Sequence, residues 1–153
     1  MRDPGVARVV SALMERRGRR LFMLDGESIN SDQVNDRLAE VSGAHLTAKD
    51  FRTWNGTVTA FRHLRAHLPA GDDADTHVLA AIDAAALKLG NTRAVCRAHY
   101  VHPDVVAGYT SGELAQFLRG KRERGGNWLD ADERLLTNYL SQILEARAGD
   151  LFG

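Results

Sequence analysis

Leu89-Gly90-Asn91-Thr92-Arg93-Ala94-Val95-Cys96-Arg97-Ala98-His99-Tyr100-Val101-His102-Pro103 decides how this chain is read. The run Val78 to Leu89 before it is built of strong helix formers. Gly90 predicts the stop of that helix, because glycine enters the left-handed conformation that closes a helix at little steric cost. Thr92 predicts the cap of a short helix that delivers Tyr100. Val101-His102-Pro103 breaks that helix, and Pro103 with Asp104 opens the next. Three helices in close succession, with no strand between them, indicate a mainly α fold.

The same signals recur outward. Asp3-Pro4 is a cap and first-turn pair for a helix carrying Val6, Val9, Val10, Leu13 and Met14, stopped near Gly18. Leu21 to Leu24 followed by Asp25-Gly26 predicts at most a short remnant strand and a turn. Ser31 is the expected cap of a helix with Val34, Leu38 and Val41 on one face, ending at Gly43. Thr47 is the expected cap of a helix running past Arg52 to about His67, ended by Pro69. Ser111 is the expected cap of a helix to about Lys121, and Gly125-Gly126 reads as a flexible joint. Asp130 caps a last helix through Leu135, Leu136, Tyr139, Leu140, Ile143 and Leu144.

A chain of 153 residues, 44% of them hydrophobic, is long enough to bury one core, and one domain spanning 1–153 is expected. Its single cysteine, Cys96, excludes an internal disulfide and reads as a buried small apolar side chain. No apolar run approaches the ~20 residues of a membrane span. A soluble, cytoplasmic protein is expected.

Twenty Lys and Arg residues balance twenty Asp and Glu residues, which by itself argues against a phosphate-binding partner. The distribution of those charges argues the other way. Phe51 to Gly71 holds Arg52, Arg62, Arg65 and two histidines with no acid, and Ala84 to Pro103 holds Lys88, Arg93 and Arg97 with no acid. A locally cationic face on a neutral domain suits contact with nucleic acid.

The first of these windows overlaps Lys49-Asp50-Phe51-Arg52-Thr53-Trp54-Asn55-Gly56-Thr57, and the second places Asn91-Thr92 nine residues before Tyr100. Together they resemble the catalytic C-terminal domain of type IB DNA topoisomerases, in the bacterial and poxvirus-like branch, which share a core with the tyrosine recombinases. The resemblance runs from about Val6 to about Leu140. It implies the mainly α core of the DNA breaking-rejoining enzymes, a duplex DNA partner, a monomer, and chemistry without metal, nucleotide or small-molecule cofactor.

It also implies roles. Tyr100 is the expected nucleophile, forming a reversible phosphotyrosyl bond that conserves the energy of the broken phosphodiester. Arg52 offers a planar fork of donors to the non-bridging oxygens as they gain charge. Asn91 stands where many members carry histidine, and its amide donates a hydrogen bond but brings no charge. Lys49, Arg93 and Arg97 are expected on the DNA backbone. Trp54, Phe61, Leu64, Tyr109 and Tyr139 read as packing.

The chain also departs from that pattern. A complete site adds a further arginine, and a lysine on a β-hairpin that protonates the departing 5′ oxygen. None of the three lysines, Lys49, Lys88 and Lys121, takes that position. The expectation is therefore a C-terminal portion of the core, with the upstream hairpin and N-terminal domain absent. Such a portion alone would be inactive or slow, because general-acid assistance is worth ~10²–10⁴-fold. Two other readings stay open: a tyrosine recombinase or integrase catalytic domain, and a catalytically inactive DNA-binding fragment.

Overall fold

The computed structural model describes residues 3–15, 20–24 and 26–152, which form eight helices and one two-stranded hairpin. They divide into two compact units, Met1–Ala48 and Lys49–Gly153. Among the described residues, no helix is long and apolar enough to cross a membrane.

In the first unit, α1 (Pro4–Met14) starts as the sequence predicts. Asp3 accepts hydrogen bonds from the N–H groups of Gly5 and Val6 at 2.8 and 2.9 Å, and Pro4 fills the first helical position. The expected stop at Gly18 lies outside the described residues. Met23–Leu24 (β1) is a real strand, and it pairs antiparallel with Glu27–Ser28 (β2), with Met23 opposite Ser28 and Leu24 opposite Glu27. The return strand is an addition to the sequence reading; Asp25 of the expected turn is outside the described residues.

The cap of α2 (Ser31–Ser42) is Asn30, one residue before the expected Ser31. Asn30 and Gln33 form a reciprocal capping box, satisfying two helix-end donors at once, which a serine at the next position would not do in this register. Neither α1 nor α2 contains a buried residue.

The second unit carries the core. It comprises α3 (Ala48–Ala66, whose first residue closes the preceding unit), α4 (Ala74–Leu89), α5 (Arg93–His99), α6 (Pro103–Ser111), α7 (Glu113–Leu118) and α8 (Ala131–Phe152). Val78, Ala81, Ile82, Ala85 and Ala86 form one helical stripe of α4, and Val58, Phe61 and Leu64 form another on α3; both are buried. Val105 and Tyr109 of α6, Leu114 and Phe117 of α7, and Leu135, Leu136 and Tyr139 of α8 complete the cluster. Each large aliphatic or aromatic side chain withdrawn from water contributes roughly 1.5–3 kcal/mol. The packing roles expected for Phe61, Leu64, Tyr109 and Tyr139 hold, and Trp54 packs partly buried against the cluster. The helix expected to run from a Ser111 cap to Lys121 is shorter: Ser111 closes α6, Gly112 turns at φ 84°, and α7 ends at Leu118.

The far end of α3 is fastened by polar contacts. Arg62 pairs with Asp130 and Asp132, and Arg65 with Asp132, at the start of α8. Asp130 also caps α8, accepting the N–H groups of Asp132 and Glu133 at 3.0 Å. Nearby, His63 stacks on His67 at 4.7 Å and His67 lies against His77 at 4.5 Å. The Tyr109 hydroxyl donates to the His67 carbonyl at 2.9 Å, so His77 Nδ1, 2.8 Å from that oxygen, carries the proton and donates to it. Burial, and then the neighbouring rings of His67 and His77, lower the pKa of His63 below its usual value.

Candidate active site

Three helix ends converge in the second unit: the start of α3, the end of α4 and the end of α5. The end of α4 is set by Gly90, which adopts φ 65° and lets two backbone bonds close the helix: Gly90 N–H to the Leu87 carbonyl at 3.4 Å and Asn91 N–H to the Ala86 carbonyl at 3.0 Å. This pair is a Schellman motif, which needs the left-handed residue that glycine supplies. It fixes the main chain of Asn91 immediately beyond the helix. The Asn91 side chain is half-buried, and its Nδ2 has no hydrogen-bond partner among the described residues. An unsatisfied buried amide costs roughly 1–3 kcal/mol, so this is a donor that gains from an acceptor brought to it.

The same helix end holds Arg52. Its Nη2 donates to the Leu89 carbonyl at 3.0 Å, one of the acceptors that a helix C-terminus leaves open and where the macrodipole is negative. One of the five guanidinium N–H donors is thereby engaged. The guanidinium carbon lies 5.0 Å from the centroid of the Tyr100 ring, within cation–π range. Arg52 and Tyr100 are therefore adjacent, and Asn91 follows closely on the residue whose carbonyl orients Arg52.

Tyr100 closes α5 as the sequence predicts. Thr92 accepts the N–H of Val95 at 3.3 Å to start that helix, and the N–H groups of Tyr100 and Val101 both reach the Cys96 carbonyl at 3.0 Å to end it. Gly56 of α3 faces this turn so closely that a Cβ there would overlap the Tyr100 carbonyl oxygen. Thr57, 2% exposed, donates to the same oxygen at 3.4 Å and accepts from the His102 N–H at 3.1 Å. Gly56 and Thr57 lie within the signature segment, but residue type and spacing gave them no role of their own. Their spacing from Arg52 puts them on its helix, yet only the structure gives them a partner distant in sequence.

The remaining predicted residues fall into two groups. Lys49 and Arg97 are exposed and make no ion pair among the described residues. Arg93 is exposed as well, but its guanidinium grips Asp83 through Nε at 2.6 Å and through Nη2. That pairing raises the Arg93 pKa and lowers that of Asp83, the shared hydrogen bond leading in both. Arg62 and Arg65, counted in the cationic window, are neutralised by Asp130 and Asp132, so the cationic surface is smaller than the linear sequence suggests. The histidines beside Tyr100 have structural tasks: His99 lends its carbonyl to Thr53, and His102 Nδ1 accepts the Asp104 N–H at the start of α6. Cys96 is buried, and burial first of all raises its thiol pKa, with Arg52 opposing.

The family model for the eukaryotic DNA topoisomerase I catalytic core matches residues 3–117. The chain belongs to the topoisomerase I catalytic-core family. No individual curated protein matches it at a significant level. The matched span contains Arg52, Asn91 and Tyr100 and the whole of the helix-end junction, and the mainly α architecture agrees with a topoisomerase I core. Family membership makes this a type IB topoisomerase domain whose partner is DNA.

Proposed function

We propose that this domain cleaves and rejoins one strand of duplex DNA through a 3′-phosphotyrosyl bond at Tyr100. The phenolic oxygen attacks phosphorus, the phosphorus–O5′ bond breaks, the phenol loses its proton and the departing 5′ oxygen gains one. The free 5′ end rotates about the intact strand, relieving supercoiling. Attack by the 5′ hydroxyl then restores the phosphodiester and frees Tyr100.

The observation that carries this reading is the Arg52 guanidinium held 5.0 Å from the Tyr100 ring by a helix-end carbonyl. A fixed cation beside the attacking oxygen stabilises the negative charge that develops around phosphorus, and its remaining donors suit the two non-bridging oxygens. Asn91 supplies a second, neutral donor. Lys49 and Arg97 neutralise flanking phosphates, and Arg93 does so by exchanging Asp83 for a phosphate.

We assign the protein to the bacterial and poxvirus-like branch, on Asn91 at the second donor position and Lys49-x-x-Arg52-Thr53-Trp54 around the arginine. The general acid is not among these residues. In the pattern that the sequence resembles, a hairpin lysine and a further arginine complete the fast cycle.

The test uses a suicide duplex with a 5′-bridging sulfur at the scissile phosphate. A thiol, near pKa 8.5 in cysteine, leaves as the anion and needs no general acid. The chain should form a covalent band on this duplex in EDTA, and Tyr100→Phe should not. Salt-sensitive DNA binding with no band would show instead a DNA-binding module without cleavage.

A further inference from the structure

Of the three threonines on α3, two bond back to their own helix. Thr53 donates to the Lys49 carbonyl at 3.1 Å and Thr59 to the Asn55 carbonyl at 2.7 Å, the usual resort of a helical threonine. Thr57 turns away from its helix and engages the segment beyond Tyr100, donating to the Tyr100 carbonyl and accepting from the His102 N–H. One turn earlier, Thr53 also reaches the His99 carbonyl at 3.4 Å. Thr53, Gly56 and Thr57 lie three and four residues apart, so they share one helix face, and that face contacts the main chain of residues 99–102.

We propose that Thr57, given room by the missing side chain at Gly56, is the positioning residue for the nucleophile. The proposal rests on the reading of Tyr100 as nucleophile and adds how its reach is set. Tyr100 sits past the last turn of a seven-residue helix, with φ −130° and ψ −3°, and the chain breaks direction at His102. So short a helix does not fix its own end. The bonds to Thr57 supply the fixed point, on the helix that also carries Arg52. They set the distance between phenol and guanidinium through one rigid element. In-line attack is intolerant of displacement: misplacing a reacting atom by about 1 Å costs on the order of 10²-fold.

The test compares the full chain with Thr57→Ser, which keeps the hydroxyl, and with Thr57→Val and Thr57→Ala, which remove it, using whichever of the last two retains the wild-type circular dichroism spectrum. Single-turnover cleavage of the 5′-bridging phosphorothiolate duplex is measured at saturating DNA, with hydrogen exchange of the His102 amide as a second readout. The expected result for the hydroxyl-free variant is a fall in cleavage of roughly 10–10²-fold, unchanged DNA affinity, and faster exchange at His102. Serine should restore both rate and protection. Wild-type cleavage by the hydroxyl-free variant, or no rescue by serine, overturns the proposal while leaving the nucleophile in place. If the wild-type chain gives no Tyr100-dependent band, the site reading fails first and the proposal with it.

Discussion

The two ends of α3 look alike in the sequence and differ in the folded chain. Both carry arginines in an acid-free stretch: Arg52 at one end, Arg62 and Arg65 at the other. At the first end the guanidinium meets a helix-end carbonyl and an aromatic face, neither of which brings a formal charge to cancel its own. At the second, the carboxylates of Asp130 and Asp132 arrive from the start of α8 and cancel it. Cationic residues close in sequence thus differ in what distant segments bring to them, and the proposed function reads the first as a chemical group and the second as a structural one.

The largest effect expected from breaking this division is at the first end. Arg52→Ala should lower cleavage of the phosphorothiolate duplex by about 10²–10³-fold, the usual cost of losing a preorganised transition-state donor. Gel-based single-turnover assays would measure it, and a loss under tenfold would assign Arg52 to the structural group. Gly56→Ala comes next. A methyl group driven against the Tyr100 carbonyl must push α3 and the α5–α6 turn apart, at about 1–3 kcal/mol. Chemical denaturation should show the lower midpoint, with cleavage slowed in the same variant.

At the second end, Arg62→Gln with Arg65→Gln should cost at most about 1 kcal/mol, since exposed pairs are worth little. DNA affinity should stay unchanged, and fluorescence anisotropy on a labelled duplex would check that. A weakening of tenfold or more would return these arginines to the DNA-binding face. The smallest effect is a pH dependence from His63. Its folded pKa is depressed, so the unfolded chain binds the proton more readily. Stability is complete above the unfolded pKa near 6.5 and declines as pH falls through it toward the lower folded value. His63→Gln should flatten that part of a stability profile between pH 5 and 8.

Local chemistry explains what the sequence discloses in advance. Asp3, Gly43, Gly90, Thr92, Pro103 and Asp130 act on their own neighbours, and each performs as its residue type predicts. The cap of α2 falls one residue before the expected position because Asn30 and Ser31 are both good caps, and only Asn30 has Gln33 in register to answer it. The meeting of Arg52 with Tyr100 is legible only through the paired signatures, since forty-odd intervening residues hide it from any periodicity. Asp83, Asp130 and Asp132 as partners of arginines, and Thr57 as the partner of the Tyr100 turn, are not legible at all. Those pairings depend on packing between elements, which spacing within one element does not encode.

The hydrogen bonds that anchor the three candidate site residues each use a main-chain group. Arg52 binds the Leu89 carbonyl, Asn91 is placed by its own N–H, and Tyr100 is tethered through its carbonyl. These main-chain mounts do not depend on which side chains stand at the other two positions, although the Arg52 guanidinium also faces the Tyr100 ring. The junction behaves as a socket with separate mounts: exchanging the amide at 91 for an imidazole, or the phenol at 100 for another side chain, leaves the main-chain mounts of the neighbours intact. Such a site can be re-equipped one position at a time, and the contribution of each group read without collapse of the rest.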